Sequence, residues 1–375
     1  MDNNTIVIIY NAAHHVLLFK SELINSIKKN GYKVVVLAST DNYTEKLKDI
    51  VDEFYEIKVD SSGINPFKDA YLIFQIYNIC KRVKPAAILN FTIKPVIYGT
   101  FAGQLLGEIP VINTITGLGT AFISKGLANK VAKFLYKFTF KHSHLVFFQN
   151  PDDQQFFKDL NIISKDNTKL VSGSGVNLVK FKSIKNKKRE NIKILFIGRI
   201  IADKGIYELI ESAKIIKKEY SNVTFILMGM LGVKNRTSIS KSEVDNWVNE
   251  GLIDFVPFKD DIRSFLGDSD LVVLPSYREG TPKTLIEAAS MGKPLVATDV
   301  PGCREVVLDG INGFLCQVKN SVSLAEAIKK FIELDYSNKI EMGLKSRELA
   351  EQKFDIHKVN NCYINELIKI KNEKR

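Results

Sequence analysis

Cysteine is scarce, with four in 375 residues, and Cys80, Cys303, Cys316 and Cys362 lie far apart. There is no C-x-x-C and no tight His/Cys cluster, which argues against a disulfide framework or a structural zinc and fits a reducing compartment. Long apolar runs are also missing: no stretch approaches the roughly 18 uninterrupted apolar residues of a membrane span. The opening MDNNTIVIIY has no basic leader before its short apolar run, so the chain is expected to stay in the cytoplasm, able to touch a membrane without crossing it. No internal repeat and no low-complexity tract interrupts it. Acidic residues fall short of basic ones, 42 against 53, for a net charge of +11. That balance predicts attraction to nucleic acid, anionic lipid or a phosphorylated substrate without choosing among them, and solubilising lysines on helix faces are the competing reading.

What is present is a pattern of short apolar runs alternating with amphipathic stretches, over a length that fits about two domains. Thr5–Tyr10, Lys33–Ala38, Ala86–Asn90, Pro110–Thr114 and His144–Phe148 read as strands, with Val16–Lys29 a helix among them. The pattern restarts with strands at Ile192–Ile197, Val223–Met228, Ile253–Val256, Leu271–Leu274 and Pro294–Ala297, and helices at Gly205–Glu219 and Thr284–Met291. Strands apolar on both faces and separated by helices indicate parallel sheets covered on both sides. Between the halves, Ser172-Gly-Ser-Gly-Val-Asn177 and a charged run from Lys185 to Glu190 read as a boundary. The expectation is an α/β chain of two doubly wound domains, residues 1–173 and 174–352, with a cleft between them. In such sheets ligands sit beyond the carboxyl ends of the strands.

Two loops after strands carry chemistry. Gly198-Arg199-Ile-Ile-Ala-Asp-Lys204-Gly205 opens a helix, and two cations at a strand-to-helix turn suit an anion. Alone, the segment reads more readily as a basic surface loop. Pro275-Ser-Tyr-Arg-Glu279-Gly-Thr-Pro-Lys-Thr-Leu-Ile-Glu287 also follows a strand and opens a helix. Gly280, Thr281 and Pro282 let backbone amides approach a ligand. Glu279 and Glu287 stand at either end of the turn, placed to accept hydroxyl groups of a sugar and a ribose.

The E-G-T-P-K-T-L-I-E segment, the following A-A-S-M-G-K-P-L-V-A-T-D-V-P-G-C-R-E-V-V, the later N-G-F-L and the G-R-x4-K-G element closely resemble, in order, the donor site of glycosyltransferase family 4. The resemblance covers nearly the whole second half. It implies a GT-B fold, two Rossmann-like domains facing a central cleft, with a final helix in residues 353–375, within Phe354–Ile370, crossing back to the first. It implies a nucleotide-sugar donor, uridine diphosphate chemistry by likeness to the capsule and O-antigen branch, and retention at the anomeric carbon. Carried over by position, Gly198, Arg199 and Lys204 would meet the diphosphate, Glu279 the transferred sugar and Glu287 the ribose. Gly280, Thr281, Pro282, Lys283 and Thr284 would line sugar and phosphates. No cofactor and no metal is implied, and no D-x-D-type cluster is placed to hold one.

In the first half, Asn11-Ala-Ala-His-His15 follows the first strand, where many family members carry a glycine-rich loop. Ala13 and His14 are cleft candidates there, although paired histidines after a strand are as often ordinary loop residues. Phe91-Thr-Ile-Lys94-Pro and Thr114-Ile-Thr116-Gly117-Leu-Gly119-Thr120 resemble segments of the same branch, whose acceptors are commonly sugars on undecaprenyl diphosphate. Lys94, Thr116 and Gly117 are therefore acceptor candidates, and a threonine at 116 cannot serve as a base.

Between Lys125 and Lys141, Leu127, Val131, Phe134, Leu135 and Phe138 recur at helical spacing beside Lys130, Lys133, Lys137 and Lys141. Such a helix can lie in an anionic membrane interface, or it can pack its apolar stripe on the sheet. The expected location is peripheral, on the inner face of the cytoplasmic membrane. Two rivals are a nucleotide-sugar epimerase on the same fold and a non-enzymatic polyanion binder. The second would show a basic stripe interleaved with aromatics or a reading module for nucleic acid, and neither stands out.

Overall fold

The computed structural model describes residues 4–60, 65–107, 109–117, 127–163, 167–184, 188–233 and 235–373. The chain divides into two compact units, one holding the described residues up to Ser174 together with those from His357 on, the other Gly175–Ile356.

The first unit begins β1 (Thr5–Ala12), α1 (Ala13–Lys29), β2 (Lys33–Ser39), α2 (Thr44–Lys48) and β3 (Glu53–Glu56). It continues through α3 (Pro66–Val83) and β4 (Ala87–Phe91), and a π-helical turn (Pro95–Gly99) leads into α4 (Thr100–Leu105). Then come β5 (Val111–Ile115), α5 (Leu127–Lys141), β6 (Leu145–Phe148), α6 (Pro151–Asp159) and β7 (Thr168–Leu170). The strands pair in parallel in the order β3-β2-β1-β4-β5-β6-β7. Alternation along β1 shows why. Ile6, Ile8 and Tyr10 enter a core shared with α1, while Val7 and Ile9 enter the opposite core under α3, α4 and α5. A strand buried on both faces belongs inside a helix-covered parallel sheet.

In the second unit, β8 (Ile192–Arg199) is followed by a 3-10 turn (Ala202–Lys204), α7 (Ile206–Glu219), β9 (Val223–Met230), α8 (Lys241–Asn249) and β10 (Asp254–Pro257). Next are α9 (Arg263–Asp268), β11 (Leu271–Leu274), α10 (Lys283–Ser290), β12 (Leu295–Thr298) and β13 (Gly313–Cys316). The unit ends with α11 (Ser321–Glu333) and α12 (Tyr336–Lys353). Its sheet is parallel, in the order β10-β9-β8-β11-β12-β13. Strand order reverses between β1 and β4 in the first sheet and between β8 and β11 in the second. These switch points are where loops diverge and leave room for a ligand.

The last helix, α13 (Ile356–Glu373), lies on the first unit. Val359, Tyr363, Ile364, Leu367 and Ile370 are buried in the α1-side core. Burying five such side chains is worth on the order of 10 kcal/mol before ordering entropy, enough to hold the helix there. Polar contacts fix its register: Tyr363 Oη lies 3.1 Å from Thr114 Oγ1, and Tyr32 donates to the Leu367 carbonyl at 3.2 Å.

Helix α5 departs from the stripe expected of it. Its buried face is Ala132, Tyr136, Thr139 and Phe140, whereas Val131, Leu135 and Phe138 are half-buried and Phe134 is 70% exposed. Both sets repeat at helical spacing. The core selected the arc where Tyr136 and Phe140 meet Phe157 of α6, with ring centroids 5.1 Å apart in each pair. Lys125 and the Leu127 side chain lie outside the described residues.

Candidate active site

The two loops singled out in the second half leave neighbouring strands at the switch point of the second sheet, and they touch. Beyond β8, Gly205 joins the 3-10 turn to α7 at φ +72°, and a Cβ on it would stand 2.0 Å from the Pro275 carbonyl oxygen. Only glycine allows that approach. The Tyr277 amide donates to the Asp203 carbonyl at 2.9 Å, so the loop after β11 is tied to the one after β8 backbone to backbone. The Tyr277 hydroxyl then donates to Glu208 in the first turn of α7 at 2.9 Å. With these loops docked, the Lys204 ammonium donates to the Glu279 carboxylate, both side chains being less than one fifth exposed.

A third segment completes the loop's support. Gly302, at φ +82°, would place a Cβ 2.0 Å from the Gly280 carbonyl oxygen. The turn after β12 therefore presses on Gly280, and Thr298 at the end of β12 donates to the Ser276 carbonyl. Gly280, Thr281 and Pro282 are buried, and Lys283 and Thr284 half-buried. Pro282 is the N-cap of α10, which has neither a side-chain cap nor an acidic residue in its first turn. A helix start of this kind presents amides and partial positive charge to an anion.

Glu287 lies one turn into α10, 7% exposed, with Lys283 Nζ 3.8 Å away. Burial pushes its carboxyl above the ordinary value, against the pull of Lys283 and Lys180. Gly198 is half-buried and Arg199 exposed, at the carboxyl end of β8. The arrangement thus sets cations, helix amides and two carboxylates around neighbouring loops. Gly302, Thr298 and the Tyr277–Glu208 bond were not singled out from sequence, because their partners lie tens of residues away along the chain.

In the first unit, Ala13 and His14 open α1 directly after β1. His14 is oriented by Asp41, whose carboxylate accepts from the His14 amide at 2.9 Å and lies 2.7 Å from its Nδ1. Burial alone would raise the Asp41 carboxyl, but the bonds from His14 and the Tyr43 amide hold it below the usual range. Lys94, after β4, donates to Asp69 of α3 at 2.8 Å, with side chains 13% and 8% exposed. Thr92 sits at φ +69°, a conformation costing a β-branched residue about 1–3 kcal/mol. Its hydroxyl donates to Asn11 Oδ1 at 2.8 Å, which ties the end of β4 to the end of β1. Thr116 and Gly117 are half-buried after β5; Gly119 and Thr120 lie outside the described residues.

Among the described residues, no three His, Cys, Asp or Glu side chains group to hold a metal, and no helix is long and apolar enough to cross a membrane.

A family model of glycosyl transferases group 1 matches residues 179–348, and a glycosyl transferase 4-like model matches residues 7–150. Among curated proteins, the chain is 28% identical over 332 residues to the N,N'-diacetylbacillosaminyl-diphospho-undecaprenol alpha-1,3-N-acetylgalactosaminyltransferase of Campylobacter jejuni, covering 84% of this chain and 86% of the relative. It is 26% identical to the capsular polysaccharide biosynthesis glycosyltransferase CapM of Staphylococcus aureus, over 88% of both chains. To the UDP-Gal:alpha-D-GlcNAc-diphosphoundecaprenol alpha-1,3-galactosyltransferase of Escherichia coli it is 26% identical over 76% of both. Among solved structures, Anabaena HepE in complex with UDP superposes with a TM-score of 0.78 at 18% identity, over 97% of this chain and 100% of that one.

Proposed function

The chain belongs to the glycosyltransferases that these two models describe, the group 1 and family-4-like enzymes with a two-domain GT-B fold, and from that premise we propose that it moves a hexose or N-acetylhexosamine from a UDP-sugar to a polyprenyl-diphosphate-linked saccharide during bacterial surface-glycan assembly. Three named relatives support the reading: two act on saccharides linked to undecaprenyl diphosphate, and one makes capsular polysaccharide. The observation that supports the site assignment is the Lys204–Glu279 contact, which brings together two residues, 75 apart in the chain, that this reading assigns to the diphosphate and to the sugar.

In this reading Arg199 and Lys204 balance charge on the diphosphate, and the amides from Gly280 to Thr284 line sugar and phosphate. Glu279 accepts hydroxyls of the transferred sugar, and Glu287 those of the ribose. Ala13, His14, Lys94, Thr116 and Gly117 belong to the acceptor side. The bond from the anomeric carbon to the leaving phosphate oxygen breaks as the acceptor oxygen bonds the same face of that carbon. The acceptor's proton passes to the departing phosphate oxygen, so configuration is retained and UDP leaves. Negative charge grows on that phosphate in the transition state, where preorganised cations help most. The acceptor's lipid brings the enzyme to the inner face of the cytoplasmic membrane, and the lysines of α5 favour its anionic surface.

Arg199→Ala and Lys204→Ala should each lower turnover by roughly 10²-fold or more, by analogy with loss of a positioned oxyanion donor. Steady-state release of UDP measures this, and near-wild-type turnover in both variants would defeat the assignment.

A further inference from the structure

The outer surface of α3 carries a stripe that the donor and acceptor assignments leave unused. Phe67 is 89% exposed, Tyr71 51% and Phe74 59%. At 100° per residue these three fall within about 60° of arc. Asp69, Leu72, Ile76 and Cys80, the buried residues, occupy the opposite side. The aromatics therefore point straight away from the sheet. Two more large apolar side chains stand out on neighbouring helices of the same layer: Leu105 of α4 at 65% and Phe134 of α5 at 70%. The layer is continuous, since α3 packs on α4, and Phe101 of α4 stacks on Phe138 of α5 with centroids 4.0 Å apart. Helices that cover one core thus present a shared outer face rich in aromatics.

Among the described residues, charge on this face is mainly positive, with Glu53, beside the Tyr55 ring that Arg82 covers, and Asp60 at its edge. Helices α4 and α5 contain no acidic residue, and the one carboxylate of α3, Asp69, is buried against Lys94. Lys81 and Arg82 end α3, and Lys130, Lys137 and Lys141 are exposed on α5. Lys68 is paired with Asp60, and the face stops at the acidic α6. Exposed aromatics flanked by cations, with no exposed carboxylate among the described residues of α3, α4 and α5, match the boundary of an anionic bilayer: rings enter the acyl–headgroup region while ammonium and guanidinium groups stay at the phosphates.

We propose that α3, through Phe67, Tyr71 and Phe74, is the element that inserts into an anionic lipid bilayer, with Leu105 and Phe134 widening the apolar footprint and the basic ends of α3 and α5 holding it by charge. The biological sense of this surface rests on the lipid-linked acceptor proposed above, but its physical test does not, because vesicles can be made without acceptor.

The test uses the whole chain and vesicles of phosphatidylglycerol and phosphatidylethanolamine, with phosphatidylcholine vesicles as the neutral control. Wild type should float with the anionic vesicles, and Phe67→Ser/Tyr71→Ser/Phe74→Ser should partition at least about 30-fold more weakly, given that each lost aromatic removes a substantial apolar contact. UDP affinity of that variant should equal wild type, which shows that it is folded. A second variant, Phe74→Trp in a Trp247→Phe background, should be quenched by brominated lipid. Equal partitioning of triple variant and wild type, or an unquenched Trp at 74, would overturn the proposal. So would a triple variant that merely shifts a dimer to a monomer in sedimentation, since the face would then be covered by a second copy. Vesicle binding without sugar transfer to any acceptor would defeat the functional reading alone; transfer to a water-soluble acceptor analogue without vesicle binding would defeat the surface alone.

Discussion

Glu287 combines burial with a carboxylate proposed to meet the donor's ribose. Its folded carboxyl titrates above its unfolded value. The sign follows: below the unfolded value both states hold the proton and there is no cost, while above the folded value the ionised group carries a full burial penalty. At neutral pH, Glu287→Gln should therefore leave the melting temperature equal or higher, while weakening UDP binding by roughly tenfold or more through loss of a charged acceptor for ribose hydroxyls. Calorimetry and thermal melting check the two halves. A variant that melts lower and binds UDP normally would remove Glu287 from the site. Wild-type affinity should also fall on acidification at a pH above the ordinary glutamate range. The sequence showed Glu279 and Glu287 through their eight-residue spacing in a matching segment. It did not show that Glu279 would meet Lys204, or that Lys94 would be held by Asp69, because both contacts depend on which helix lands beside which loop.

At the scale of elements, the strands were legible because their residues are apolar on both faces, as β1 and β8 illustrate. Helix α5 was legible as a helix but not in its orientation, since two apolar arcs compete and only the packed core selects Tyr136 and Phe140. The exposed face of α3 is not legible in the sequence, because aromatics at positions 67, 71 and 74 look there like a buried stripe. Loop docking is likewise a three-dimensional matter, and the glycines test it. Gly205→Ala combines a left-handed backbone with a collision against the Pro275 carbonyl. Gly251→Ala has a similar φ of +69° but nothing within 4 Å of its Cβ. The second should cost only about 1–2 kcal/mol of conformational strain. Gly205→Ala should cost more than that and weaken UDP binding, as denaturant melts and calorimetry would show. Equal penalties would mean that the two loops are not held together through Gly205.

For the molecule as a whole, the net charge of +11 acquires a location. Part of it lies on the α3–α4–α5 face, the surface proposed above to meet anionic lipid. Composition alone could not separate this from nucleic-acid binding or mere solubility. The division into two α/β units was legible from the restart of the strand pattern and the small residues near Gly173 and Gly175, both of which take positive φ. The return of α13 to the first unit was visible only through resemblance, since Val359, Tyr363 and Leu367 are simply an amphipathic stripe until their partners on β4, β5 and α1 are known. The proposed glycosyl transfer has a direct test. Incubating the protein with radiolabelled UDP-sugars, with and without a bacterial lipid extract, should release UDP only when the extract is present and carry label into the organic phase. An epimerised donor formed without any acceptor, or no transfer of label from any donor, would contradict it.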